Sequence, residues 1–399
     1  MEQPSSRLWT KDFIFLAAIN FFITLIFFSL VVTIGHFAVE RFDASASMAG
    51  LIASIFIVGA LVGRISISNL FSLYGNRAIL LAGLILFLLA TASYFIVHHV
   101  VVLLIVRFIH GVALGVTSTV LGTIVAQSLP AHRKGEGIGY YSLSSIISTA
   151  IGPFVGMLMT QYADFQLILM MNMICASVCF ILFLNLHIPD IRPPKKERGF
   201  SVFHYVERKA VPISFVGLFI GFAYSGILSF LTFYVAERHL VTAGSYFYIL
   251  FAVVILCTRP FTGRLYDMRG ANLVVYPCLL LFTIGMFVFS IATTSFLLLL
   301  AAALIGIGYG NFNSVAQAIA IKSTTPERIA LATSTYFIFF DIGLGFGPYV
   351  LGYFIGPAGY APIFSAMVVV IVLATAAYYW LYGRKERALL ALQREVNDA

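Results

Sequence analysis

Long apolar stretches alternate with short polar segments along the whole chain. Each apolar stretch holds about 20 or more residues, which is the length that an α-helix needs to cross a hydrocarbon core roughly 30 Å thick. Twelve such stretches predict an all-α integral membrane protein with twelve transmembrane helices. The first six cover residues 13–38, 49–72, 78–97, 101–127, 138–162 and 167–186, and the second six cover 211–235, 244–265, 273–292, 296–321, 329–355 and 361–382.

Polar and small residues recur along the chain at a spacing of 195 positions. The recurring pairs are Arg64 and Arg259, Gly75 and Gly270, and Gly152-Pro153 and Gly347-Pro348. Duplication of an apolar scaffold is typical of secondary transporters. It predicts an N-terminal six-helix half (1–186), a cytoplasmic linker (187–210), a C-terminal six-helix half (211–383) and a cytoplasmic tail (384–399).

The composition excludes a water-soluble domain, since 61% of the residues are hydrophobic, 10% are charged and the mean hydropathy is +0.99. Nineteen of the 24 Lys and Arg residues fall in segments on one predicted face. Because basic loops stay on the cytoplasmic side, both termini are expected in the cytoplasm and the chain in the cell membrane. The net charge of +8 then indicates topology and contact with membrane lipid rather than binding to nucleic acid.

Charge and glycine are concentrated where the eighth span ends. The segment reads Arg259-Pro-Phe-Thr-Gly263-Arg264-Leu-Tyr-Asp267-Met-Arg269-Gly270, and it resembles the loop motif of the major facilitator superfamily. In that family the loop helps to latch one conformation, whereas the alternative is a simple topology anchor. The first-half copy keeps Arg64 and Gly75 but has Ser68, Asn69 and Ser72 in place of the glycine, arginine and aspartate.

A second motif lies on the fifth span, where Gly139, Gly152, Pro153 and Gly156 follow the spacing Gly-x8-Gly-x3-Gly-Pro-x2-Gly, with Ser148 at the second glycine position. This resembles the motif of the twelve-helix drug:proton antiporters in the same superfamily. The resemblance implies the major facilitator fold, with twelve helices in two pseudo-symmetric halves. A generic packing helix would explain the glycines alone.

Asp341 is the one acid placed deep within a predicted span, and Ile146 occupies the same position in the first half. An acid in a low-dielectric setting binds and releases protons readily unless a cation compensates it, so Asp341 is the leading proton carrier. In this fold the eleventh helix lies near the second, which makes Arg64 the first candidate partner and Arg107 the second. A permanent structural ion pair would need the same residues.

The segment Arg107-Phe-Ile-His110-Gly111 on the fourth span resembles another motif of the superfamily, in which the buried Arg belongs to the proton-transfer machinery. Burying Arg at a helix centre costs about 2.5 to 3.5 kcal/mol on insertion scales, so Arg107 is expected to face the protein interior. Arg107 could alternatively only hold helices together. His110 is either a titrating group or a hydrogen-bonded packing residue.

The resemblance also implies a central cavity lined by the first, fourth, seventh and tenth helices. The polar candidates on these helices are Asn20, Tyr224, Asn311, Asn313 and Gln317. Each of them could instead bond to a neighbouring helix, which is the commoner role of a single amide in a bundle.

The resemblance and the motifs together predict a secondary transporter that exports a small amphipathic compound, as in multidrug efflux, in exchange for protons. The alternative is proton-coupled import of a sugar, an organic anion or another metabolite. There is no Gly-x4-Gly-Lys-Ser/Thr phosphate loop and no His-Glu-x-x-His sequence, so neither ATP, another cofactor, a metal nor an enzymatic activity is expected. The transporter is expected to act as a monomer.

Overall fold

The computed structural model describes residues 9–129, 134–187, 206–324 and 329–386, and every secondary-structure element in these ranges is helical. The chain divides into two compact units with the boundary between residues 197 and 198. This boundary lies within the segment 187–210 that the sequence assigns to the linker. Twelve helices are long and apolar enough to cross a membrane, which confirms the predicted fold class.

The first unit holds six spanning helices, named here in chain order. Helix α1 covers Lys11–Phe42, and Ala46–Ser93 is one helical stretch that Gly75 interrupts. The apolar part before the interruption is α2 (Ala46–Ser66). The second apolar part, α3, continues through a short 3-10 turn to Ile96 (Tyr74–Ile96). Helices α4, α5 and α6 cover Val100–Ser128, Lys134–Tyr162 and Phe165–Leu184.

The second unit repeats this order. Helices α7, α8 and α9 cover Val211–Glu237, Val241–Arg269 and Asn272–Ser290, while α10, α11 and α12 cover Ser295–Lys322, Ile329–Ala358 and Tyr360–Glu386. Several helices extend past the apolar stretches that predict them, because polar residues at their ends continue the helix. In α1, for example, Thr10 accepts a hydrogen bond from the Phe13 amide at one end and His36 pairs with Glu40 at 3.0 Å near the other.

Close contact between backbones holds the helix pairs of the first unit together. On α4, a Cβ atom on Gly111 or Gly115 would collide with a carbonyl oxygen of α2, and on α2 a Cβ on Gly59 or Gly63 would collide with a carbonyl oxygen of α4. Small residues four positions apart allow this approach where no water drives helices together. The α2–α4 pair is therefore a double Gly-x3-Gly contact.

The second unit keeps only half of this arrangement. Gly306 on α10 faces the carbonyl of Phe251 on α8, and a Cβ there would lie 2.7 Å from that oxygen. By the 195-residue repeat this is the Gly111–Phe56 contact again. On α8, however, Val254 and Thr258 replace the two glycines of α2. Opposite them α10 departs from the α-helix for one π-helical turn, Gly306–Gly310, whereas the sequence predicts one uninterrupted span.

Candidate functional site

The loop glycines of both halves have the same unusual backbone conformation. Gly75 has φ 75° and ψ 164°, and Gly270 has φ 86° and ψ 174°. Only glycine reaches this region at low cost. At Gly270 the chain leaves α8, and the Gly270 amide donates to the Tyr266 carbonyl at 3.0 Å. The recurrence of glycine at these two positions thus follows from the turn that it has to make.

The other residues of the loop motif lie on the last turns of α8. Arg259 is half-buried, while Gly263, Arg264 and Arg269 are exposed, and a Cβ on Gly263 would meet nothing within 4 Å. The side chain of Asp267 lies outside the described residues, as do those of Ser68, Asn69 and Ser72 in the first-half copy. Arg64 is half-buried on α2.

The glycines of the fifth-span motif pack against α1. A Cβ on Gly152 would lie 2.8 Å from Cβ of Phe28, and one on Gly156 would lie 2.9 Å from the Ser29 carbonyl oxygen. The Ser148 hydroxyl lies 2.7 Å from the Phe21 carbonyl, so the residue at the second glycine position bonds to α1. Pro153 is within α5, and Gly139 lies in its first turns. In the second unit Gly347, next to Pro348, meets Ser225 of α7 in the same way.

Arg107 is fully buried on α4, with no exposed surface. Its guanidinium lies 4.4 Å from the centre of the Phe56 ring, and its Nε donates to the Ile52 carbonyl at 3.1 Å. Neither terminal nitrogen makes a well-aligned hydrogen bond within the described part of the chain, although the Tyr94 hydroxyl lies near the guanidinium. Cation–π contact and one carbonyl bond compensate only part of the cost of burying this charge. The four N–H groups of these two nitrogens therefore remain without a well-aligned acceptor.

His110, one turn further along α4, is also fully buried, and both of its ring nitrogens have partners. Nδ1 lies 3.1 Å from the Tyr94 hydroxyl and Nε2 lies 3.4 Å from the Thr91 hydroxyl. The Thr91 hydroxyl donates to the Phe87 carbonyl at 2.8 Å, so it accepts from Nε2–H, and Nδ1 accepts from Tyr94. A neutral imidazole satisfies this network, which favours the hydrogen-bonded interpretation of His110.

Asp341 is half-buried on α11, twelve residues after the first residue of the helix and thus about 18 Å along it. The ring of Phe340, the residue before Asp341, lies 6.3 Å from the ring of Tyr309 of α10. The other acids in the described spans lie at helix ends, and they are Asp12, Glu40, Glu237 and Glu386. Among the described residues, Asp341 is thus the acid placed far from either membrane boundary.

Two cavity candidates already use their amides to join helices. Asn20, 4% exposed, donates to the hydroxyls of Ser144 and Ser145 on α5 at 2.7 and 2.8 Å. The Asn311 amide donates to the Thr258 hydroxyl and the Ile307 carbonyl, both at 2.8 Å, and its oxygen accepts from Thr262 at 2.9 Å. This geometry is the interhelical bonding that the sequence left open.

The remaining candidates lie near an aromatic cluster of the second unit. Tyr224, 2% exposed, stacks on Tyr309 with ring centres 3.9 Å apart, and its hydroxyl has no partner within the described residues. Asn313 is half-buried and accepts a 2.6 Å hydrogen bond from Tyr336. Gln317 is half-buried on the next turn of α10.

The sequence did not predict four residues of these sites. Tyr94 and Thr91 bond to His110 in the first unit, and Tyr309 and Tyr336 belong to the aromatic cluster around Tyr224 in the second. A signal for Tyr309 was available. It lies in Gly306-Ile-Gly308-Tyr-Gly310, where three alternating glycines weaken an α-helix. The repeat places Leu114 at the equivalent position of the first half, so Tyr309 is specific to the second.

The chain matches the family model of the Major Facilitator Superfamily over residues 14–292 and 250–396. An uncharacterized MFS-type transporter of Methanocaldococcus jannaschii is 23% identical over 377 residues, which cover 90% of this chain and 96% of that protein. The multidrug resistance protein MdtG of Salmonella paratyphi B is 23% identical over 278 residues, which cover 66% of this chain and 68% of that protein.

Solved structures of several transporters have the same fold. A bacterial homologue of the human lysosomal transporter Spinster aligns with a TM-score of 0.76 at 15% identity, over 93% of this chain and 96% of that one. The nucleoside transporter NupG aligns with a TM-score of 0.73 at 12% identity, over 92% and 99% of the two chains.

Proposed function

Because this chain belongs to the Major Facilitator Superfamily, we propose that it is a proton-coupled antiporter that exports a small amphipathic compound from the cytoplasm. It is a multi-pass membrane transporter and not an enzyme. The proposal places it in the cell membrane with both termini in the cytoplasm, acting as a monomer by alternating access. The basic residues of the predicted cytoplasmic segments support that orientation.

The position of Asp341 is the observation that carries this proposal. A half-buried carboxyl group about 18 Å into α11 is costly to keep in a membrane unless it has a function, and such acids mark proton pathways. The equivalent residue of the first half is Ile146, so the duplicated scaffold does not need a charge there. A carboxyl group at this depth can change between a charged and a neutral form, and proton binding and release is the chemistry that we propose for it.

The direction of transport rests on the fifth-span motif. Gly152 and Gly156 bring the α5 backbone close to α1, and Pro153 removes one backbone hydrogen bond from α5. This is the arrangement of the antiporter motif that the sequence resembles, with Ser148 bonding where a glycine is usual. The similarity to MdtG, at 23% identity, supports export in the same way.

In the proposed cycle Asp341 binds a proton while it is accessible from outside and releases it when it is accessible from the cytoplasm, and the substrate leaves during the opposite step. A proton that moves inward down a membrane potential yields about 2.3 kcal/mol per 100 mV, which can drive export against a gradient. Arg64 and Arg107 are the proposed partners of the unprotonated carboxylate. The terminal nitrogens of Arg107, which make no well-aligned hydrogen bond within the described residues, support this role.

The test is a substrate screen in proteoliposomes with an imposed pH gradient. The unmodified protein should accumulate amphipathic substrates only when the pH gradient is present. The Asp341→Asn variant should not accumulate them even with the gradient. Glu237→Gln is the matched control, because it neutralises an exposed acid at the end of α7. Gradient-driven exchange that persists in Asp341→Asn excludes Asp341 as the carrier. Solute entry in the same direction as protons would favour the symporter instead.

A further inference from the structure

The π-helical turn of α10 has no counterpart in α4, the equivalent helix of the first unit. Such turns insert one extra residue into an α-helix and are frequent at functional sites. In Gly306–Gly310 the three glycines allow tight packing of the widened backbone. A Cβ on Gly308 would lie 2.6 Å from the Cys278 carbonyl oxygen of α9, and one on Gly310 would collide with Ile255 of α8. The turn is therefore fitted to its surroundings.

Asn311 holds the end of this turn. Its backbone N–H donates to the Gly308 carbonyl, so it is not available to Ile307, its usual acceptor in an α-helix. The side-chain amide of Asn311 donates to Ile307 instead, at 2.8 Å. The same side chain bonds to Thr258 and Thr262 of α8, which fixes the rotation of α10 relative to its neighbour.

The turn places Tyr309 on the face of Tyr224. Their rings are nearly parallel, at 16°, and 3.9 Å apart, and Phe282 and Phe340 lie within 6.3 Å of Tyr309. Phe340 directly precedes Asp341 on α11. Tyr309 thus brings rings of α7, α9 and α11 together in one aromatic cluster.

At the equivalent positions the first unit lacks the amide and the tyrosine pair, although Phe87 stands at the position of Phe282. Helix α4 is continuous from Val100 to Ser128. The repeat places Val116 at the position of Asn311, Leu114 at that of Tyr309, Ser29 at that of Tyr224 and Gly63 at that of Thr258. The amide, its hydroxyl partner and the tyrosine pair therefore occur together in one half only.

We propose that Asn311 is a positioning residue that locks α10 in its π register and so keeps Tyr309 on Tyr224, and that release of this lock is a step of transport. If the π-helical turn changes to regular α-helix, the part of α10 that follows it rotates by about 100° and shifts along the axis by about 1.5 Å. Asn311 and Tyr309 cannot then both keep their partners. The transport step rests on the proposed function, whereas the lock itself rests on the geometry alone.

Hydrogen–deuterium exchange of the full-length protein tests the lock without any transport assay. In Asn311→Leu, amides of residues 306–316 should exchange about tenfold faster or more, because three side-chain bonds are lost. Amides of 111–121, the same part of α4, should not change. Asn20→Leu removes two interhelical bonds from the first unit and is the control, with no effect expected on 306–316.

Asn311→Ser provides a rescue, because a serine hydroxyl can donate to the carbonyl four residues earlier. Exchange of 306–316 in this variant should lie between the native and Asn311→Leu rates. Unchanged exchange in Asn311→Leu, or the same increase in Asn20→Leu, would overturn the lock. If Asn311→Leu does not fold, the single variants Asn311→Ser and Thr258→Val replace it in the comparison of exchange rates at residues 306–316.

A double-mutant cycle on substrate transport separates positioning from general stabilisation. If Asn311 acts through Tyr309, the loss of maximal rate in Asn311→Leu and Tyr309→Leu should be similar, and the double variant should lose little more than either alone. Multiplied losses in the double variant would contradict this role. The rate is measured by exchange of labelled for unlabelled substrate without a pH gradient. This measurement does not depend on proton coupling, so it tests the lock even if the proposed antiport is wrong.

Discussion

Gly75 and Gly270, separated by 195 residues, share a backbone conformation with a positive φ, of 75° and 86°, and an extended ψ, of 164° and 174°. Gly75 lies in the first turn of α3 and Gly270 directly after the end of α8, and glycine is the residue type that adopts this conformation without strain. The duplication has therefore preserved a backbone requirement at this position, while the side chains around it have changed from Asp267 in one copy to Ser72 in the other.

Replacement of Gly270 should destabilise the second unit. A Cβ at its φ and ψ costs of order 1–3 kcal/mol, so Gly270→Ala should lower the midpoint of thermal unfolding in detergent. Gly263→Ala is the matched control on the same helix, since its Cβ would meet open space and alanine favours helix. Equal midpoints for the two variants would contradict the assigned conformation.

The α2–α4 contact should be far less tolerant than the rest of α4. Gly111→Ala should reduce the yield of folded protein and cost about 1–3 kcal/mol or more, because its methyl group collides with the Phe56 carbonyl. Gly122→Ala, with nothing within 4 Å of the new Cβ, should match the native protein. Size-exclusion chromatography and thermal unfolding measure both, and a folded, fully stable Gly111→Ala would be inconsistent with this packing.

Neutralisation of Arg107 should separate stability from activity. A buried cation without a carboxylate partner among the described residues costs more than an apolar side chain of similar volume, so Arg107→Met should be as stable as the native protein or more stable by about 1–4 kcal/mol. Its transport should nevertheless be lost if the charge serves coupling. A variant that is less stable but transports at the native rate would show that Arg107 is a structural residue alone.

His110 should affect stability and leave the pH dependence of transport unchanged. Both of its ring nitrogens are bonded in a neutral form, and His110→Gln leaves at least one partner unsatisfied at a cost of about 1–3 kcal/mol. The expected result is a lower unfolding midpoint with the same pH at half-maximal rate. A displaced pH profile would instead assign His110 to the proton path.

The fold could be predicted from the sequence because its determinants are local. Twenty apolar residues specify a spanning helix wherever they occur, and the repeat of Gly152 and Gly347 identifies a packing contact made twice. The sites were harder, since an amide such as Asn20 has the same appearance in a sequence whether it lines a cavity or bonds to Ser144. Its role depends on which helix lies opposite.

The π-turn of α10 is a second feature that the sequence did not predict. A single extra residue does not change the apolar character of the span, so hydropathy predicts an ordinary helix from 296 to 321. Asn311, at the end of this turn, bonds to Thr258 and Thr262 of α8. Those residues lie about 50 positions earlier in the chain, beyond any local pattern.

Proton movement driven by substrate is the most direct test of the central claim that Asp341 couples export to protons. Proteoliposomes containing a pH indicator are given a substrate gradient and no pH gradient. The native protein and Glu237→Gln should move protons opposite to the substrate, while Asp341→Asn should exchange labelled for unlabelled substrate and move no protons. Proton movement in the same direction as the substrate, or native proton flux in Asp341→Asn, would contradict the account.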